Sequence, residues 1–230
     1  MPNTTYNRNR VVSYISTELL IIEAPQVFNW STPSTDDYSI ILIVFVISMS
    51  YAVLRYNLFG DVPTSDIPFY VLNKVLSFGG LLLLGIAGLK PTSSERHKLG
   101  IAAAYCLLMH VVITLTIFSP EYFSKLFEAN SRRLTLSASL SLLCGTLAFV
   151  CLIHLWRVSI SRRKGTDLSL VNGLGRLLLI FAAGHTAFMG GSLWFSPSTW
   201  PGKLPPITLF AFATAMIFLW ITHKRKRSDA

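Results

Sequence analysis

Two histidines stand where histidine is costly. His110 and His185 each lie deep in a long apolar stretch. An imidazole inside a membrane span marks a functional site by default, because its nitrogens need partners that lipid cannot supply. His110 closes the segment RHKLGIAAAYCLLMH, Arg96–His110, in which a short basic cluster at a membrane edge leads into an uncharged helix. It lies about 12 residues into that helix, ~18 Å at ~1.5 Å per residue, and His185 lies at a similar depth in the fifth apolar segment. Two imidazoles at matched depth on parallel helices can supply both axial ligands of a b-type haem. Ligation by two neutral imidazole nitrogens suits an iron that changes valence without binding substrate. The surroundings allow a flat macrocycle: Gly100, Ala103 and Leu107 precede His110 at helical spacing, and Ala182, Ala183, Gly184, Gly190 and Gly191 flank His185. The competing reading of the same residues is interhelical hydrogen bonding and tight packing around small side chains.

The other polar residues of the apolar segments sort around that pair. Lys74 lies about 10 Å into the second span at ~1.5 Å per residue. It is either the partner of a haem propionate or a lysine snorkelling to the interface. Arg176, near the start of the fifth span, reads as snorkelling. His154, near the end of the fourth span, reads as interfacial, His97 between Arg96 and Lys98 as solvated, and His223 as part of a basic tail. Cys106, Cys144 and Cys151 all fall inside apolar segments and form no CxxC, so they read as packing residues rather than disulfides or zinc ligands.

The elements that must position these groups follow from composition. Of the 230 residues, 52% are hydrophobic and 13% charged, about half the ~25% charged content of a soluble domain. The apolar residues gather into six runs, each near the ~20 residues that a membrane-crossing helix needs. They are Tyr38–Leu54, Ile67–Leu89, Leu99–Phe118, Leu134–Trp156, Leu170–Phe195 and Leu204–Thr222. The sequence therefore predicts an all-α membrane protein, a six-transmembrane-helix bundle. Residues 1–37 form an N-terminal segment, 38–222 the transmembrane domain and 223–230 a basic tail. The first run, rich in Ile and Val, is expected at the periphery.

The net charge of +9 does not point to nucleic acid, because the basic residues flank the spans. With six spans, the termini and the loops after spans two and four share a side. That side carries thirteen Lys and Arg residues against five on the other, so both termini are expected to be cytoplasmic. Val11–Ala24 is apolar but interrupted by Glu18 and Glu23. That is unlike the uninterrupted core of a secretory signal, and it is expected to be a helix lying on the membrane surface or against the bundle.

The stretch ERHKLGIAAAYCLLMH resembles the third span of the ferric reductase-like transmembrane family. That group includes ferric reductases, NADPH oxidases and the bacterial haem-binding subunit that feeds a periplasmic methionine sulfoxide reductase. In that subunit a basic pair, a Leu-Gly-Leu step and a histidine thirteen residues after the second basic residue are characteristic. Arg96–His97, Leu99–Gly100–Ile101 and His110 take those places here. LNKVLSFGGLLLLGIAGLKP is similar to its second span, so the resemblance covers Leu72–His110 and, loosely, the fifth span. It implies a haem-binding bundle in the bacterial inner membrane or an equivalent membrane. In two-haem members a histidine stands where His97 stands, paired with another thirteen residues before the deeper fifth-span histidine. That second place is held here by Asn172. The outer pair, His110 with His185, is the complete one, and His154 or His97 would serve only if a second haem were bound.

The expectation is a membrane cytochrome with one haem b and quinone as a candidate second cofactor. It would take electrons from quinol or a reductase partner and pass them to an outer acceptor. With no flavin or NAD(P)H domain before the end at Ala230, it would be a redox subunit, an oxidoreductase only with a partner. The alternatives are a haem-free six-helix transporter, in which Asn73, Lys74, His110 and His185 would line a polar path, and a membrane scaffold or assembly protein.

Overall fold

A computed structural model of the chain describes residues 35–90, 93–129, 132–161 and 168–228. Among these are six long helices: α1 (Thr35–Val53), α2 (Leu72–Leu89), α3 (Ser93–Thr116), α4 (Leu136–Ser161), α5 (Leu168–Trp194) and α6 (Ile207–Ser228). Each contributes to a stretch long and apolar enough to cross a membrane. The protein is an all-α, multi-pass membrane protein. The proposed surface helix at Val11–Ala24 lies outside the described residues.

Burial ranks the helices. In the membrane-length window of α2, 44% of residues are buried, against 22% for each of the other five. α2 is the central helix, flanked by α1, α3 and α6, while α5 packs between α4 and α6. Glycines permit the closest of these approaches: a Cβ at Gly80 would meet Leu107 and Cys106 of α3, and one at Gly85 would overlap the ring of Phe218 on α6. Beyond Asp37 near its start, α1 buries only a narrow stripe, Val44, Ser48 and Ala52, at a spacing of four, while Leu42, Ile43, Val46 and Ile47 are each more than half exposed. One stripe facing the protein with the rest facing lipid is what a peripheral span requires.

Polar contacts tie the two ends of the bundle. At one end Lys98 Nζ of α3 lies 3.2 Å from Asp37 Oδ2 of α1, with the aspartate almost wholly buried. At the other, Arg55 and Tyr51 donate to the carbonyls of Leu204 and Pro205, just before α6. These contacts define a Lys98 end and an Arg55 end of the bundle. Arg176 does not merely snorkel: its Nη2 donates to the Thr222 carbonyl of α6 at 2.8 Å.

Several helix limits differ from the sequence expectation. α3 starts at Ser93, not Leu99, so the basic cluster Arg96–Lys98 is itself helical. It is held by Arg96 Nη2 to the Lys90 carbonyl at 2.9 Å and by a Lys90–Glu95 ion pair at 3.6 Å. Leu134 belongs to an isolated bridge with Phe127 instead of to α4. Thr135 then caps α4, its Oγ1 accepting from the Ala138 N–H at 3.1 Å, the side-chain acceptor that a helix start requires.

The bundle is not packed evenly. α3 makes only thin contact with α4, and α3 and α5 do not pack closely. Two apolar clusters close this region at different depths. Ala104, Cys151, Leu152 and Leu178 join α3, α4 and α5 toward the Lys98 end. Ile113, Ile117, Phe123, Leu126 and Ala138 join α3, the segment after it and α4 toward the Arg55 end, with Met189 of α5 packed against them.

Candidate functional site

Between the two apolar clusters lies a polar layer. α3 contributes His110 and Thr114, one turn apart; α2 contributes Asn73; α4 contributes Ser141; and α5 contributes His185. A polar group buried among apolar side chains must find a partner or destabilise the fold. Each member of this layer has one.

His110 Nδ1 lies 2.6 Å from Asn73 Oδ1. Asn73, 1% exposed, is oriented in turn by Thr114, whose Oγ1 is 3.0 Å from Asn73 Nδ2 and 3.2 Å from Oδ1. Across the layer, His185 Nδ1 lies 2.9 Å from the Ser141 carbonyl and 3.1 Å from Ser141 Oγ, which also donates to the His185 carbonyl at 2.9 Å. Both rings are thus tied through Nδ1, with Nδ1–H as donor and an oxygen as acceptor. A neutral imidazole carries one proton, so Nε2 of each ring keeps its lone pair. Neither Nε2 has a partner among the described residues.

Both histidines are half-buried, neither fully closed off nor at the surface. They are electrostatic neighbours of each other, and both lie within reach of the Lys74 charge. Lys74 itself sits over two aromatic faces, its Nζ 5.0 Å from the Tyr70 ring centre and 5.2 Å from that of Phe123. It is therefore held inward at the α2–loop contact by cation–π attraction.

Some small residues do other work than the sequence alone implied. Ala103 packs into the α1–α2–α3 core with Val44, Leu83 and Leu99, and Ala183 packs toward α6 with Ala211 and Ala215. Gly184 faces Cys144 of α4, and Gly190 faces Thr208 of α6. The close approach beside the His185 ring comes instead from Gly145 of α4, where a Cβ would lie 2.9 Å from His185 Nδ1. Gly100 and Gly191 look onto open space.

The remaining candidates stand apart from the layer. His154 is exposed on α4, as are Asn172 on α5 and His223 near the end of α6. His97 is half-buried near the Lys98 end, about 13 residues or ~20 Å along α3 from His110 at ~1.5 Å per residue.

The sequence pointed to His110, His185 and Lys74. It left Asn73 as one more polar residue of the second span, and passed over Thr114, Ser141 and Gly145. Thr114 could have been found from its i+4 spacing to His110. Ser141 and Gly145 share a helix face, but which face meets α5 is a property of the assembled bundle.

The donor set suits a haem. Iron in a porphyrin already has four nitrogen ligands and needs only two more, one on each side. Two Nε2 atoms without a partner among the described residues, on helices that do not pack closely, meet that need. Among the described residues no three His, Cys, Asp or Glu side chains gather as a multidentate metal site would require. The sequence matches no protein-family model and no curated protein.

Proposed function

We propose that the chain is a membrane b-type cytochrome, in which His110 and His185 would hold one haem b. The observation that carries the reading is the matched treatment of the two rings. Each imidazole is pinned through Nδ1 to an oxygen, each presents Nε2 unpaired, and both stand in one polar layer between apolar clusters. Carbonyl acceptors on Nδ1–H fix the tautomer, orient the ring and raise the basicity of Nε2.

The resemblance of Leu72–His110 to the ferric reductase-like family supports the same reading. Lys74 supplies positive charge near both rings, fitting it to a haem propionate. The bound group would supply a one-electron carrier, filled from quinol or a reductase partner and emptied to an outer acceptor. The chain's own residues bind and orient that group, while the clusters around Leu178 and Ile113 keep water from it. The charge bias of the loops supports an orientation with both termini cytoplasmic, in a bacterial inner membrane or its equivalent.

A transporter path is less well supported. The polar layer is bounded on both sides by the apolar clusters, so Asn73, His110 and His185 do not continue into a polar channel among the described residues. The test is haem content per chain in His110→Ala and His185→Ala, each purified from membranes made under haem-sufficient conditions. Each variant is expected to reach the membrane and lose haem. Haem retained at the wild-type ratio by either variant would exclude that residue as a ligand.

A further inference from the structure

The two candidate ligands are held by unlike acceptors. His185 donates to a main-chain carbonyl, that of Ser141, which side-chain substitution does not remove. His110 donates to a side-chain carboxamide, that of Asn73, carried by a helix that provides no ligand of its own. We propose that Asn73 is the positioning residue of the site, fixing the tautomer of His110 and setting the reduction potential of the metal that His110 holds. The inference rests on the haem reading above.

The chemistry turns on which end of the carboxamide meets the ring. Were Nδ2 turned toward His110, Nδ1 would have to accept, the ring proton would sit on Nε2, and Nε2 could not ligate a metal. In the structure Oδ1 faces His110 at 2.6 Å, and the Thr114 hydroxyl braces the carboxamide, accepting from Nδ2 at 3.0 Å and lying 3.2 Å from Oδ1. At a 1%-exposed position the amide depends on these partners, because no water replaces them.

An acceptor on Nδ1–H gives the imidazole partial imidazolate character, which favours ferric over ferrous iron. A stronger acceptor should therefore lower the potential, and removing the acceptor should raise it. Because the closest acceptor for His110 Nδ1 is a side chain, a change at Asn73 can adjust that ligand alone.

The experiment compares wild type with Asn73→Asp, Asn73→Leu and Thr114→Val, each purified with its haem. The readouts are haem per chain, the midpoint potential by redox titration, and the low-temperature electron paramagnetic resonance spectrum of the ferric form. Asn73→Asp is expected to keep haem and titrate at a lower potential. Asn73→Leu is expected to bind haem ~10-fold more weakly, the low end for loss of a ligand's hydrogen-bond partner, and to titrate higher. Thr114→Val is expected to shift in the same direction as Asn73→Leu, by less, and remains informative if Asn73→Leu fails to accumulate. Wild-type potentials and unchanged g values in Asn73→Asp and Thr114→Val would overturn the positioning role. A wild-type protein that binds no haem overturns the haem reading itself, and this inference with it.

Discussion

Gly145 of α4 lies directly against the imidazole of His185 on α5. A Cβ at 145 would sit 2.9 Å from Nδ1 and 3.3 Å from Cε1. One turn earlier on the same helix, the Ser141 carbonyl accepts from that Nδ1 at 2.9 Å. α4 therefore offers the ring an acceptor and a gap at successive turns of one face, and both are needed for the ring to lie where it does.

Gly145→Val should push the ring of His185 off its acceptor. The expected result is a loss of haem affinity of about 10-fold or more, the range seen when a ligand's supporting shell is disturbed. Gly191→Ala is the matched control, because a Cβ there meets nothing within 4 Å. Haem titration of the two purified variants checks the difference, and equal affinities would count against a role for Gly145 in seating the ring.

Lys74→Met removes a charge that reaches both histidines while keeping a long side chain over Tyr70 and Phe123. Reduction of a haem adds an electron, and a nearby cation favours the reduced form. The midpoint potential should fall, by an amount on the order of 1 kcal/mol at an effective dielectric of about 20. An unchanged potential would place Lys74 outside the electrostatic reach of the haem.

His154→Ala should leave haem per chain and the visible spectrum unchanged, since His154 is exposed on α4 and the α3–α4–α5 interior on that side is filled by Ala104, Cys151, Leu152 and Leu178. A halved haem content would mean a second site that uses His154.

Asp37→Asn leaves the Lys98 ammonium without its carboxylate at the α1–α3 contact. Lys98 is largely buried, with 20% of its side chain exposed, so water only partly replaces the lost partner. Thermal unfolding in detergent should show a loss of about 1–3 kcal/mol, the cost of stranding a buried polar group. Haem content at low temperature should stay at the wild-type value, because the pair lies far from the polar layer along α3.

Much of this architecture was legible in the sequence, and the part that was not has a physical reason. Six spans follow from six long apolar runs, because lipid forces every backbone group into a helix. The peripheral place of α1 follows from the Ile and Val content of Tyr38–Leu54 and its lack of any charge or histidine. His110 and His185 stood out because imidazole in lipid is costly. Asn73 carried the same signal, but its role depends on α2 turning that residue toward α3 and not toward α1 or α6. The small residues misled in part: Ala103, Ala183 and Gly190 serve helix–helix contact, which one-dimensional spacing cannot tell from a cofactor cradle. The start of α4 at Leu136 was hidden because Leu134 is as apolar as the helix that follows. Only the bridge to Phe127 and the Thr135 cap separate the two.

The most direct measurement of the central claim is a dithionite-reduced minus air-oxidised visible spectrum of the purified full chain, with haem counted per chain by pyridine extraction. The account predicts a sharp b-type α band and about one haem per chain, the number that one pair of imidazoles can ligate. Protein made with ample haem that shows no such band would contradict it, and would return the two histidines to the role of interhelical hydrogen-bond donors.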